Sequence, residues 1–132
     1  MIEMKVQELQ RSKVTPFNVV ILEEKDGDRA FPIFIGTEEA YATENALYER
    51  QTPRPLTHDL IVNVVAGLDA TLEGVLVDEL DNDTFYGKLL LKTSDGRHVK
   101  IDSRPSDAIV LATKLGLPIF VSDDVLNSAN IN

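Results

Sequence analysis

Two short segments of this chain hold residue types that handle anions and protons. One is Pro53-Arg54-Pro55-Leu56-Thr57-His58-Asp59, and the other is Ile101-Asp102-Ser103-Arg104-Pro105-Ser106-Asp107-Ala108. Each sets an Arg-Pro pair at the mouth of a predicted helix, with a hydroxyl residue and an aspartate just beyond. A helix N-terminus offers unpaired N–H groups and a partial positive charge. A neighbouring arginine adds a planar fork that matches phosphate or carboxylate, and proline stiffens the approach by fixing φ. Two such mouths facing each other would make an anion pocket. The plainer alternative is structural: Asp59 and Asp107 as first-turn partners of their helix dipoles, and Arg54 and Arg104 as ion-pair locks on loops.

Other residues extend these segments. His58 could give or take a proton near neutral pH, although a histidine at a helix start also serves as a surface or capping residue. His98 sits among Arg97 and Lys100 in a strand and reads as a solvent-facing residue. Carboxylates at predicted helix starts and loops, namely Glu39, Asp59, Asp102 and Asp107, could hold magnesium or manganese if two or more converge. No H-E-x-x-H, EF-hand or P-loop pattern occurs. Ser103 and Ser106 lack the nucleophile elbow that a Ser–His–Asp enzyme of the hydrolase type would show. Phe85 and Tyr86 could stack on bases. The competing reading puts Phe85 in the core and Tyr86 on the surface or at an interface.

These residues need a scaffold, and hydrophobic periodicity supplies one. Ile2, Met4 and Val6 alternate with polar residues, as in a strand with one wet face. Strands are expected over 18–23 and 30–35, joined at Lys25-Asp26-Gly27-Asp28, with Pro32 marking an edge or a strand start. A helix follows from Thr37 to about Arg50, and a second starts at Thr57 as N-cap. Its Leu60, Ile61, Val64, Val65 and Leu68 form one broad apolar face. Strands over 70–80, 84–93 and 97–101 pair through turns at Asp81-Asn82-Asp83 and Ser94-Asp95-Gly96. A third helix runs from Pro105 to Leu115, closed by Gly116. A short strand over 117–121 and a last turn capped by Ser122 follow, and the tail after Asn127 is expected to fray. The result is an α+β domain: a mixed, largely antiparallel sheet with hairpins, three main helices and a short C-terminal one.

The whole chain sets the limits. Its 132 residues suit a single domain, 1–132, with a core over about 4–126. It has no cysteine, which excludes thiol nucleophiles, zinc–thiolate sites and disulfides. Thirteen basic residues against 22 acidic ones give a net charge of −9. Such a chain lacks the basic face of a bulk nucleic-acid binder, so an anion site here is local or recruits a cation. No apolar run approaches membrane-spanning length. The opening MIEMKVQELQ has no signal-peptide core, so the cytoplasm is the expected location. Leu90, on an otherwise wet strand face, and apolar residues on both faces of 70–80 suggest a homodimer or larger homo-oligomer.

Phe31-Pro32-Ile33-Phe34-Ile35-Gly36, Glu39-Ala40, the two Arg-Pro segments and Pro118-Ile119-Phe120-Val121 occur together and in this order. In them the chain resembles the bifunctional nuclease domain family, as a small bacterial single-domain member. The resemblance implies a nuclease acting on phosphodiester bonds of RNA and DNA. It implies a shared site at Glu39, Arg54, His58, Asp59, Asp102, Arg104 and Asp107. Under that implication His58, Asp59 and Asp107 are catalytic and Arg54 and Arg104 clamp phosphate. Glu39, Asp102 and Asp107 hold Mg2+ or Mn2+, whose bound water attacks. Two other classes of function stay open: an oligomeric domain that captures a small anion without turnover, and a structural subunit whose Arg-Pro segments make interface salt bridges.

Overall fold

The computed structural model describes residues 1–131. Its elements run β1 (Ile2–Gln10), β2 (Asn18–Glu24), β3 (Ala30–Ile35), α1 (Thr37–Leu47), α2 (Thr57–Gly67), β4 (Thr71–Asp81), β5 (Thr84–Lys92), β6 (His98–Ser103), α3 (Pro105–Leu115), β7 (Ile119–Val121) and α4 (Asp123–Ala129). The seven strands form one sheet in the order β3-β2-β1-β7-β4-β5-β6. Only the β4–β7 pair is parallel. This is the α+β class, and it consists of two antiparallel meanders, β1–β3 and β4–β6, joined through the three-residue β7.

The turn chemistry explains the second meander. Asn82 and Asp83 both have positive φ, 50° and 63°, and Asp81 pairs with Thr84. Two left-handed residues between paired strands make a type I′ turn, whose twist matches the strands it joins. Pro32 lies in β3, which is an edge strand, so its missing N–H costs no ladder bond on the open side.

The sheet is strongly curled. β3 and β5 are five strand steps apart, roughly 24 Å in a flat sheet. Yet the rings of Phe31 on β3 and Phe85 on β5 stack with centroids 5.4 Å apart. Register shifts in β1 between Val6 and Glu8, and in β4 between Leu72 and Gly74 and between Val77 and Glu79, increase local twist and bend the strands inward. The curl encloses one core of Leu22, Phe31, Val75, Val77, Val121 and Leu126 with Ile109 and Leu111 of α3.

Helix α3 is the centre of this arrangement. Residues Ala108 to Ala112 are all at most 1% exposed, so this apolar middle of the helix is enclosed on every side, while its polar first and last turns reach the surface. Pro105 starts it and Gly116, at φ 65°, ends it. Helix α2 behaves differently. Ile61 and Val62 pack on the core, but Leu60, Val64 and Leu68 stay 56%, 50% and 73% exposed. The expected single core-facing stripe is thus split, because the apolar sector of α2 is wider than the surface it packs against.

Several boundaries differ from the sequence reading: α1 stops at Leu47 rather than near Arg50, and β7 begins at Ile119 rather than Leu117. The N-cap of α2 is Leu56, not Thr57, and the capping contact comes from Asp59, whose Oδ2 accepts the Leu56 N–H at 2.9 Å. Strand β6 runs two residues past the expected end, to Ser103. The tail does not fray at Asn127. Helix α4 continues to Ala129, and Ile131 N–H donates to the Ala30 carbonyl at 2.9 Å. Asn130 Oδ1 accepts from Ala30 N–H at 3.1 Å. This pairing along the start of β3 gives the tail backbone partners and orders it.

Candidate functional site

Helix α3 carries Arg104 as its N-cap and Asp107 in its first turn. The position of this helix start is set by Gly87 on β5. A Cβ there would lie 3.1 Å from the Ser103 carbonyl and 3.3 Å from the Pro105 backbone. The chain crosses β5 where no side chain stands, as an isolated strand glycine suggests.

From this anchored start, Arg104 makes a bidentate fork to Asp107. Nε donates to Oδ2 at 2.9 Å and Nη2 to Oδ1 at 3.1 Å. Nη1 donates to Glu39 Oε1 at 3.0 Å. Glu39 sits in the first turn of α1, and its other oxygen folds over Gly36, where a Cβ would come within 2.4 Å of it. On the far side of Asp107, His58 Nε2 lies 2.9 Å from Oδ1. With an ionised carboxylate there, that nitrogen carries a proton and donates it. Three of the five guanidinium donors of Arg104 are used, which leaves two for a ligand.

The charges reinforce one another. Burial pushes the Asp107 carboxyl up, but the hydrogen bonds to Arg104 and His58 outweigh it and hold the group below its ordinary value. Asp107 in turn raises Arg104.

The two helix mouths do meet, as the paired segments suggest, but through His58 and Asp107 rather than through two arginines. The Arg54 side chain is exposed and makes no hydrogen bond or ion pair with any described residue. Asp59 turns away to an ion pair with Lys114, and this contact and the Leu56 N–H hold its carboxyl low. Asp102 lies opposite Lys88, 3.5 Å from its Nζ, and is 83% exposed. Because β6 extends to Ser103, strand alternation sends Asp102 to the outer face and Ser103 toward Gly87 and α3. Glu39, Asp102 and Asp107 therefore do not form one ligand set. Among the described residues no group of three or more His, Asp or Glu side chains is placed to hold a metal ion. His98 faces solvent, 3.3 Å from Glu73.

The site opens on a cleft of about 440 Å3 between the free side of β3 and the start of β5. Arg104 and Glu39 reach it, with Ser106, Phe34, Asp83 and Thr84. Asp107 and His58 stand behind Arg104, outside the lining. Sequence reasoning missed Phe34, Asp83 and Lys114. For Phe34 a signal existed: Phe31, Ile33 and Ile35 share the inward phase of β3, which puts Phe34 on the other face. Ser103 Oγ is buried and without a partner, and Ser106 lies at the cleft, neither beside His58.

A curled α+β sheet packs around the apolar middle of α3, and Arg104 at the mouth of the cleft keeps two guanidinium N–H groups that no described residue uses. The chain belongs to the bifunctional nuclease domain family, whose model matches residues 20–132. It is 40% identical over 113 residues to the uncharacterized protein Rv1829 of Mycobacterium tuberculosis strain H37Rv, an alignment covering 86% of this chain and 66% of that protein. It is 26% identical over 110 residues to bifunctional nuclease 1 of Oryza sativa subsp. indica, covering 81% of this chain and 33% of the rice protein. The chain thus spans under two thirds of the length of these relatives. No helix among the described residues is long and apolar enough to cross a membrane.

Proposed function

We propose that this domain hydrolyses phosphodiester bonds of RNA or DNA in the cleft between β3 and β5. The observation that carries this reading is Arg104, held by Asp107 and Glu39 with two donors left over, at a cleft in a member of a nuclease family. In this mechanism the remaining N–H groups of Arg104 take a phosphate oxygen, and the positive charge favours the transition state, where phosphorane charge builds up. Glu39, the carboxylate beside Arg104 in the cleft, accepts the proton of the attacking water as its oxygen bonds to phosphorus; the P–O bond to the sugar oxygen on the far side breaks, and that oxygen takes a proton from solvent. Asp107 and His58 are positioning residues: they fix the guanidinium plane from behind. Asp59 serves the fold by tying α2 to Lys114. A divalent ion would supply charge neutralisation and an activated water, but the three carboxylates expected to hold it are not gathered, and no step here is assigned to it.

Short labelled single-stranded RNA and DNA, incubated side by side with Mg2+, Mn2+ and EDTA, test the proposal. Arg104→Ala and Glu39→Gln should each lower cleavage by about 100-fold or more; Glu39→Gln keeps a melting temperature near the wild type, while Arg104→Ala lowers it by stripping Asp107 of its ion pair. Undiminished cleavage by both variants would remove the site assignment. One observation favours a second reading: the histidine does not line the cleft. In that reading the domain binds a small anion without turnover, and phosphate or a nucleotide raises the melting temperature while no strand is cut. We further propose that the protein acts as a homodimer or larger homo-oligomer through the open stripe of α2.

A further inference from the structure

The cleft has a second end. Phe34 lies on its rim and is 69% exposed, on an edge strand whose other aromatic, Phe31, is fully buried. The aromatics expected to offer a stacking surface are not available for it. Phe85 is occupied by Phe31 at 5.4 Å, and Tyr86, the next residue of β5, points to the opposite face. Phe85 lines the cleft too, but with a ring face against Phe31, so Phe34 is the more exposed ring there. Its neighbours across the gap are Asp83 and Thr84, at the tip of the β4–β5 hairpin.

The charges along the cleft give it a direction. Arg104, with its two spare donors, is the cation among the cleft's lining residues. Asp83, at the β4–β5 turn, also lines the cleft and repels a phosphate, but its carboxylate accepts hydrogen bonds from ring or exocyclic N–H groups. A nucleotide unit has this polarity, with an anionic phosphate at one end and an uncharged, flat, hydrogen-bonding base at the other. Bases in a duplex present neither face to a protein, because both are stacked, whereas an unpaired base can seat itself on an aromatic ring. We propose that Phe34 is a base-stacking subsite, so that the cleft takes single-stranded nucleic acid with one base on Phe34 and the adjoining phosphate at Arg104. This inference rests on the nucleic-acid reading of the site given above.

Binding without hydrolysis tests it separately from catalysis. Fluorescence anisotropy in EDTA at low salt would compare a short labelled single strand, an abasic strand with the same number of phosphates, and the duplex. The wild type should bind the base-bearing strand more tightly than the abasic strand and the duplex. Phe34→Ala should weaken the base-bearing strand about tenfold, toward the abasic level, and leave the abasic strand unchanged. Phe34→Trp should keep the preference. Equal binding of base-bearing and abasic strands by the wild type, or wild-type affinity in Phe34→Ala, would overturn the subsite. The position is exposed, so the fold tolerates all three side chains. The cleavage assay judges the hydrolase reading independently: a protein that shows the Phe34-dependent preference and cuts nothing keeps this subsite and loses the enzyme.

Discussion

At the scale of single residues, Asp107 is the hinge of the site. Arg104 and His58 both bond to it, and together they hold its carboxyl low despite burial. The folded state therefore gives up this charge less readily than the unfolded chain. As pH falls, the unfolded chain binds the proton first, so stability from this group is present above about pH 4 and is lost below it. Urea midpoints measured across the acid range should show the gap between the wild type and Asp107→Asn narrowing as pH drops. A gap of constant size would mean the carboxylate charge is not the source. The residue types at this site were legible: Glu39, His58, Arg104 and Asp107 were all named from sequence and all meet. Which of them face the cleft was not legible, because that depends on how α1, α2 and α3 dock. Asp102 shows how small the margin is. Two more residues of strand reverse its direction, and propensity does not fix strand ends to that precision.

At the scale of elements, the start of α3 depends on the absence of a side chain at Gly87. Gly87→Ala places a methyl 3.1–3.3 Å from backbone atoms of Ser103 and Pro105, which cannot move independently of the sheet and the helix. The expected cost is about 1–3 kcal/mol, seen as a lower urea midpoint, together with weakened cleavage because Arg104 shifts. Wild-type stability and activity in this variant would show that the crossing has slack. Elements were the best-read level of the sequence. Strands, turns and helices fell within a few residues of expectation because each has its own period and punctuation. The split face of α2 was not readable, since periodicity reports that a stripe is apolar and not whether a neighbour is there to cover it.

For the whole molecule, the net charge of −9 sets copies of the chain apart in solution. An uncharged stripe of Leu60, Val64 and Leu68 offers the surface where that repulsion is least felt and apolar burial is available. Light scattering should give a mass above that of one chain, and Leu60→Glu with Leu68→Glu should return it to one chain with little change in the monomer fold. A wild type that remains monomeric at high concentration would end the oligomer proposal. Fold class followed from the order of hairpins and helices. The curl did not, because the approach of Phe31 to Phe85 is set by three bulges that no local pattern announces.

The three-residue β7 has a consequence in time. It stands between two meanders formed by residues 2–35 and 71–103, and it arrives at residue 119. A chain emerging from the ribosome can pair each meander as it appears. It cannot unite them until residues 119–121 are free. Glu39 belongs to the early part and Arg104 to the late part, so the cleft does not exist on any shorter nascent chain. Whatever the cleft does thus waits on a strand that lies well beyond Arg104 in the chain.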